Sequence, residues 1–318
     1  MRRVYEYLGL HVQLAVQSMA SLSPALTLGP LRLTVADRDG TAAFYERVVG
    51  LRRLGETEEG VVQLGVPGGP ALVELVADAA ARSRARGSSG LFHLALLVPD
   101  RRALAEALRR VAAAGWRLDG ASDHLVSEAL YLSDPEENGI ELYRDRPREE
   151  WRRAENGELA MATLPLDLDD LLGELAEGAE EPPDVRALLA AAPADDPGMP
   201  AGTTLGHVHL QVSDLAAAEA FYAGALGFDV MVRGYPGALF VAAGGYHHHL
   251  GLNTWASAGG PPADPAARGL RDFALRLGSE AERDRVTNQV AEAGYALREE
   301  RDAAVAIDPF GIAVRLTT

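Results

Sequence analysis

The sequence predicts an α+β fold built from four similar modules, each with one strand, one helix and about three further strands. Two segments show the pattern most clearly, LRLTVADRDGTAAFYERVVGL beginning at Leu31 and VHLQVSDLAAAEAFYAGALGF beginning at Val208. In both, alternating apolar residues lead to an Asp, and a Phe-Tyr pair and a glycine follow. Alternation is typical of a half-buried strand and Asp is a frequent helix N-cap, so each segment predicts a strand followed by a helix.

Two weaker copies complete the set of four. FHLALLVPDRRALAEALRRVAAAGW begins at Phe92, and DFALRLGSEAERDRVTNQVAEAGY begins at Asp272. Short alternating runs broken by glycine follow the helices, such as VVQLGV with ALVELV and ALYLSD with GIELYR. They predict the further strands of each module. The residues predicted to cap the four helices are Asp37, Asp100, Asp214 and Ser279.

The modules are predicted to form two domains. Residues 26–148 contain the first two modules, and residues 203–318 contain the other two. Residues 149–202 are acidic and rich in Ala and Pro, which indicates a linker. Short helices are expected within it, near Leu166–Leu175 and Val185–Ala191.

Composition excludes several classes of protein. The chain has no cysteine and its 30 basic residues are all arginine. Disulfides, iron–sulfur clusters, thiolate nucleophiles, Schiff-base lysines and P-loop kinases are therefore excluded. The net charge of −16 disfavours nucleic acid and anionic membranes as partners. Residues 1–25 are read as an N-terminal extension without the apolar core of a signal peptide, and no run of roughly 18 apolar residues occurs. We expect a cytoplasmic protein.

The modules resemble those of the vicinal oxygen chelate superfamily, which contains glyoxalases, bleomycin-resistance proteins and extradiol dioxygenases. DHLVSEALYLSDPEENGIELYRDRP, LGHVHLQVSD and GGYHHHLGLNTW are most similar to the two-domain catechol 2,3-dioxygenases. The resemblance covers nearly the whole chain outside the first 25 residues and the linker. It implies that each unit is a βαβββ module, and that pairs of modules close into two funnel-like half-barrel domains with a metal on the inner face.

Histidine and carboxylate are the only strong metal ligands that a chain without cysteine can offer. Strand alternation places His93, His207 and His209 on the face opposite the residues that pack against the helices. His93 and His207 share a register, because each lies seven residues before its predicted cap, Asp100 or Asp214. His209, on the same face, is the expected substrate contact.

The resemblance assigns the ligands of a single metal. His93 and His207 occupy the position of the family's first-strand ligand, and Glu141 of DPEENGIEL occupies that of its last-strand glutamate. Two histidines and one carboxylate form the facial set of non-haem Fe(II) oxygenases, which leaves coordination positions open. The expected cofactor is Fe(II), and Mn(II) or another divalent metal suits the same ligands.

Modules one and four lack this ligand set. Pro30 and Asp272 stand in place of the histidines, and Arg315 stands in place of the glutamate. Asp272 and Arg315 are expected to form a structural ion pair. A complete site therefore requires module two to meet module three, either within one chain, with module one beside module four, or across a dimer.

The resemblance also implies the catalytic residues. Matching HHHLGL to the family string places the acid–base residue at His248, and His249 ranks second. Alternation puts His247 and His249 on the opposite face, so one of them could be a fourth ligand or contact the substrate, and His249 is the candidate for the substrate contact. Tyr131, ten residues before the metal glutamate, and His124 match two further residues of the family site.

The expected function is an Fe(II)-dependent extradiol dioxygenase that opens the ring of a catechol-like aromatic diol with dioxygen, compatible with a homo-oligomer. One alternative is a glyoxalase-type isomerase or lyase, whose chemistry prefers two carboxylates at the metal. The other is a metal-free protein that binds an aromatic antibiotic. Metal analysis separates the third hypothesis from the first two, and oxygen uptake with catechol separates the first from the second.

Overall fold

A computed structural model describes residues 21–176, 196–300 and 303–318. Its strands form two curled sheets with short helices packed against them. The strands are β1 (Thr27–Val35), β2 (Arg52–Glu56), β3 (Val62–Gly65), β4 (Ala71–Ala77), β5 (Gly90–Leu97), β6 (Gly120–Asp123), β7 (Ser127–Ser133), β8 (Gly139–Asp145), β9 (Leu164–Pro165), β10 (Thr204–Gln211), β11 (Asp229–Val232), β12 (Ala238–Ala242), β13 (Leu250–Asn253), β14 (Gly269–Arg276), β15 (Ala296–Glu300), β16 (Ala303–Ile307) and β17 (Ala313–Thr317). The α-helices are α1 (Arg38–Phe44), α2 (Arg101–Ala113), α3 (Leu168–Gly173), α4 (Leu215–Glu219) and α5 (Glu280–Glu292).

The modules pair two with three and one with four within a single chain. One sheet has the order β11-β12-β13-β10-β5-β8-β7-β6-β9, and the other has the order β15-β16-β17-β14-β1-β4-β3-β2. Antiparallel pairing of β10 with β5 joins modules two and three, and antiparallel pairing of β1 with β14 joins modules one and four. The α+β fold of four modules in two half-barrel sheets is confirmed, and each sheet draws on both halves of the sequence.

The predicted helix caps are confirmed. Each cap side chain accepts a hydrogen bond from the backbone N–H three residues later, at distances of 2.7 to 3.2 Å. Loss of such a cap typically costs about 0.5–2 kcal/mol of stability. One π-helical turn extends α1 over Tyr45–Val49 and another extends α4 over Ala220–Ala225.

Two buried tyrosines of the Phe-Tyr pairs connect consecutive modules. Tyr45 donates a hydrogen bond to Asp134 at 3.4 Å, and Tyr222 donates one to Asp308 at 2.9 Å. Each aspartate opens the loop before its module's last strand, and its other carboxylate oxygen accepts backbone N–H groups of that loop. In module two this fixes the loop that leads into β8, the strand of Glu141.

The described residues of the predicted linker also belong to the fold. Helix α3 and a 3-10 turn at Glu174–Ala176 confirm the expected helix near Leu166–Leu175, and β9 pairs with β6 at the edge of the sheet. The helix expected at Val185–Ala191 lies outside the described residues. Within the described ranges, no helix is both long and apolar enough to cross a membrane.

Candidate functional site

Four neighbouring strands place a row of side chains on one face of the sheet formed by modules two and three. His207 on β10 pairs with Ala95 on β5, Ala95 pairs with Glu141 on β8, and Glu141 pairs with Tyr131 on β7. Cross-strand partners point to the same side of a sheet. The small side chain of Ala95 therefore lets the imidazole of His207 and the carboxylate of Glu141 meet across β5.

A second row runs beside the first. His209 pairs with His93, which in turn pairs with Gly139. A Cβ atom at Gly139 would lie 2.2 Å from the carbonyl oxygen of Phe92 and 3.1 Å from the Cβ of His93. Glycine at this position lets β8 approach β5 closely, with the His93 side chain beside it.

The three residues assigned as metal ligands converge on one point. The Oε2 atom of Glu141 lies 2.9 Å from the Nε2 of His93 and 3.1 Å from the Nε2 of His207. One ligand atom from each residue lies within 4.8 Å of the others. All three side chains are buried, with residue exposures of 6%, 2% and 1% for His93, Glu141 and His207.

The site holds two of these ligands in the protonation states that a metal requires. Burial alone would raise the pKa of Glu141, but the imidazoles of His207 and His93 outweigh it and hold the pKa of that carboxyl well below its usual value. Burial lowers the pKa of His207, against the opposing effect of Glu141. Both directions favour the deprotonated forms of Glu141 and His207, which are the forms that bind a metal.

The donor set fits a divalent transition metal. His93 Nε2 is buried and has no hydrogen-bond partner among the described residues, because its contact with Glu141 lies outside hydrogen-bond geometry. A buried nitrogen without a partner is uncommon in native proteins and calls for one. Two imidazole nitrogens and one carboxylate oxygen suit Fe(II), and an ion among them would satisfy the nitrogen of His93.

Tyr131 and His124 form a pair beside the ligands. His124 Nδ1 lies 2.7 Å from the carbonyl oxygen of Ala162, and His124 Nε2 lies 2.6 Å from the hydroxyl of Tyr131. Since a carbonyl only accepts, Nδ1 of His124 carries a proton. Burial and the nearby Glu141 carboxylate raise the pKa of Tyr131 well above 10, so its hydroxyl stays protonated.

The structure separates the two candidates for the acid–base residue. The His248 ring lies 4.2 Å from that of His207, centroid to centroid, and lines the same cavity as the ligands. Burial and the surrounding imidazoles hold the pKa of His248 well below 6.5, so the ring is neutral. His249 lies outside that cavity lining, and its Nδ1 accepts a hydrogen bond from the backbone of Ala243 at 3.1 Å. This placement does not support the predicted substrate contact of His249.

A cavity of about 250 Å³ opens above the ligands. His209 lines it, and its Nε2 is buried without a hydrogen-bond partner among the described residues. Aromatic side chains make up much of the remaining wall: Phe92, Tyr235, Phe240 and Trp255. The cavity therefore combines a polar floor with an apolar aromatic wall.

A family model named Glyoxalase/Bleomycin resistance protein/Dioxygenase superfamily matches residues 27–142 and 204–316. The chain belongs to this superfamily. It is also 40% identical over 294 residues to the catechol-2,3-dioxygenase of Bacillus subtilis strain 168, across 92% of this chain and 96% of that protein.

Solved structures of the superfamily fold resemble the chain over most of its length. A candidate dioxygenase from Bacillus subtilis subsp. subtilis str. 168 matches with a TM-score of 0.60 and 12% identity, over 93% of this chain and 85% of that one. Glyoxalase I from Zea mays matches with a TM-score of 0.52 and 17% identity, over 92% of each chain. The TM-scores show a shared fold, and the identities are too low to show more.

In the sheet formed by modules one and four, an ion pair lies at the position equivalent to that of His93 and His207. Asp272 on β14 is 3% exposed. It accepts from Arg315 at 2.6 Å, as the sequence predicted, and from Arg32 at 2.8 Å. Arg32 and Arg315 together occupy both carboxylate oxygens of Asp272, which leaves none free to bind a cation. These ion pairs stabilise the sheet.

Asp272→Ala should destabilise the protein without changing its metal content. Removing one partner of a buried ion pair typically costs roughly 3–5 kcal/mol. Arg32 and Arg315 are partly exposed, at 22% and 15% of their side chains, so we expect the lower end of that range. Urea unfolding and metal analysis of the same sample test this, and a loss of metal would contradict it.

Sequence reasoning missed two groups of residues near the site. Met161, Ala162 and Thr163 of the predicted linker line the cavity, and nothing in their composition signals this. Asp145 lies behind the cavity and binds His247 at 2.8 Å. The sequence could have predicted the position of Asp145, because a residue four places after Glu141 on the same strand lies on the same face as Glu141.

Proposed function

We propose that the protein is an Fe(II)-dependent extradiol dioxygenase that opens the ring of a catechol-like aromatic diol. The convergence of His93, Glu141 and His207 beneath an aromatic-walled cavity is the observation that carries this proposal. The 40% identity to a protein named catechol-2,3-dioxygenase, spanning nearly its whole length, supports it.

The three ligands would hold Fe(II) through two neutral imidazoles and one carboxylate. When bound, the metal would supply open positions at which the diol oxygens and dioxygen meet and react. The protein must then bind the ring, accept its protons and keep bulk water away. The ligands are suited to that environment, since each of the three is less than a tenth exposed.

His248 is proposed to accept a proton from the diol. Its ring contacts that of His207, it lines the cavity, and its low pKa keeps a nitrogen lone pair available. A positioned imidazole of this kind typically contributes on the order of 10²–10⁴ in rate. Tyr131, whose hydroxyl lies 2.6 Å from the Nε2 of His124, would orient a substrate oxygen through a hydrogen bond.

The cavity is proposed to bind a single aromatic ring. Its volume of about 250 Å³ lies just below the roughly 300–1,000 Å³ that is usual for ligand pockets. His209 would donate or accept one hydrogen bond through its unpartnered Nε2. Phe92 and Trp255 are 37% and 49% exposed at the cavity. They offer a place for an apolar ring substituent that extends toward solvent.

The cavity lining favours the dioxygenase over the glyoxalase-type alternative. Glu141 is the one carboxylate among the described residues that line it. A glyoxalase-type isomerase would use a second carboxylate, whereas the other side chains of this lining that could bind a metal are histidines. The ligand cluster likewise favours a metal enzyme over a metal-free binding protein.

An oxygen electrode tests the proposal. Protein loaded with Fe(II) under anoxic conditions should consume dioxygen when catechol or an alkyl-substituted catechol is added, in equal amounts. Hydroquinone, whose hydroxyls are not adjacent, should support much slower uptake. Uptake that is absent with every vicinal diol, from protein with full iron content, would contradict the proposed reaction.

A further inference from the structure

A segment of the predicted linker connects the two edges of the sheet formed by modules two and three. We call this segment, residues 158–165, the strap. Its last two residues form β9 and pair with β6 at one edge of the sheet. At its other end, the carboxylate of Glu158 accepts hydrogen bonds from the backbone N–H groups of Arg233 and Gly234, at 3.0 and 3.1 Å. These two residues directly follow β11, the strand at the opposite edge.

The middle of the strap is held against the cavity by two further contacts. The carbonyl oxygen of Ala162 lies 2.7 Å from the Nδ1 of His124, and the hydroxyls of Thr163 and Tyr235 lie 2.8 Å apart. His124 and Tyr235 both line the cavity. The strap is therefore bonded to both modules and forms one wall of the cavity.

Met161 is the largest side chain that the strap adds to this wall. It is half-buried and packs against a small apolar cluster made of Leu159, Val232, Ala238 and Phe240. This cluster is separate from the main core of the protein. Methionine is unbranched and flexible, so it fills irregular space and tolerates substitution. A change of volume at Met161 should therefore alter the cavity and spare the fold.

We infer that Met161 determines the size of the ring substituent that the cavity accepts on the side of the strap. This rests on the proposed function, because the ligand is taken to be an aromatic diol. The cavity measures about 250 Å³, so the volume of each lining side chain affects what fits. A substituent between the exposed rings of Phe92 and Trp255 can extend toward solvent, whereas one that points toward the strap meets Met161.

Ratios of kcat/KM in iron-loaded protein test the inference. Catechol is compared with the two isopropylcatechol isomers, which direct the same substituent to different places. One methylene group in an apolar pocket is worth roughly 10–200-fold in kcat/KM. In Met161→Ala, the kcat/KM of at least one isomer should therefore rise about tenfold or more relative to that of catechol.

Met231→Ala is the matched control. Met231 packs against the same apolar cluster, and Met161 is the only methionine among the described residues that line the cavity. The ratio should therefore stay at its wild-type value in Met231→Ala. An unchanged ratio for both isomers in Met161→Ala, or an equal rise in Met231→Ala, would overturn the inference.

A second variant changes the cavity in the opposite direction. Met161→Trp should narrow the cavity on the side of the strap and lower the kcat/KM of the same isomer relative to that of catechol. This variant also serves if Met161→Ala does not fold. A ratio that stays at the wild-type value in Met161→Trp would contradict the inference.

Calorimetric titration with the same diols under anoxic conditions, in which no ring can open, separates this inference from the proposed reaction. The ratio of Kd values should shift in Met161→Ala as the ratio of kcat/KM does. Wild-type protein that binds the diols but never opens the ring would contradict the proposed reaction alone. Ring cleavage with an unchanged Kd ratio in both Met161 variants would overturn this inference alone, and absence of diol binding would overturn both.

Discussion

Glu141→Ala should abolish stoichiometric metal binding. Glu141 supplies the only carboxylate of the described ligand cluster, and its Oε2 contacts both histidine ligands. Loss of residues that merely support a ligand costs roughly 10–100-fold in metal affinity, so loss of the ligand itself should exceed about 100-fold. Metal analysis after anoxic loading with Fe(II), and calorimetric titration with Mn(II), measure the effect.

A glutamate of the other sheet provides the control. Glu74 lies on β4 and bonds Gln63 at 2.8 Å, so Glu74→Ala makes the same chemical change away from the ligands. It should keep one metal ion per chain. Full metal occupancy in Glu141→Ala would show that the cluster is a hydrogen-bonded core and not a metal site.

His248→Phe should keep the metal and bind catechol but turn over slowly. Phenylalanine conserves the ring that packs between His207 and Phe240, at 4.2 and 4.9 Å, and removes the nitrogen that accepts the proton. A fall in kcat on the order of 10²–10⁴ is the expected size of such a loss. Steady-state oxygen uptake, with iron content determined on the same sample, is the measurement.

His249→Phe is the matched comparison one residue away. It removes the hydrogen bond to the backbone of Ala243, outside the cavity lining. We expect a small loss of stability and a kcat close to that of the wild type. If the two variants exchanged phenotypes, His249 would be the acid–base residue.

The two histidines proposed as metal ligands could be located from sequence because strand periodicity is strict. His93 and His207 each precede a helix cap by seven residues, so both had to occupy the same position in equivalent modules. The helix caps could also be predicted from sequence, because Asp and Ser directly before a helix are preferred N-cap residues. Local sequence patterns therefore predicted which strands carry the proposed ligands and where the ligands lie along those strands.

Local sequence patterns could not predict which modules pair with each other. Whether β10 lies beside β5 of its own chain or of another depends on contacts between residues more than a hundred positions apart, which no local pattern encodes. The choice between His248 and His249 was also open, because both precede β13, where strand alternation begins at Leu250. The cavity residues of the predicted linker, Met161 to Thr163, had no signal at all.

Isotopically labelled dioxygen shows directly whether both oxygen atoms enter the product of ring cleavage. Iron-loaded protein is mixed with catechol under labelled gas, and the product is examined by mass spectrometry. We expect a ring-opened product that contains both labelled atoms, formed by the wild-type protein and by Glu74→Ala but not by Glu141→Ala. A product without label, or label incorporation that persists in Glu141→Ala, would contradict the proposed reaction.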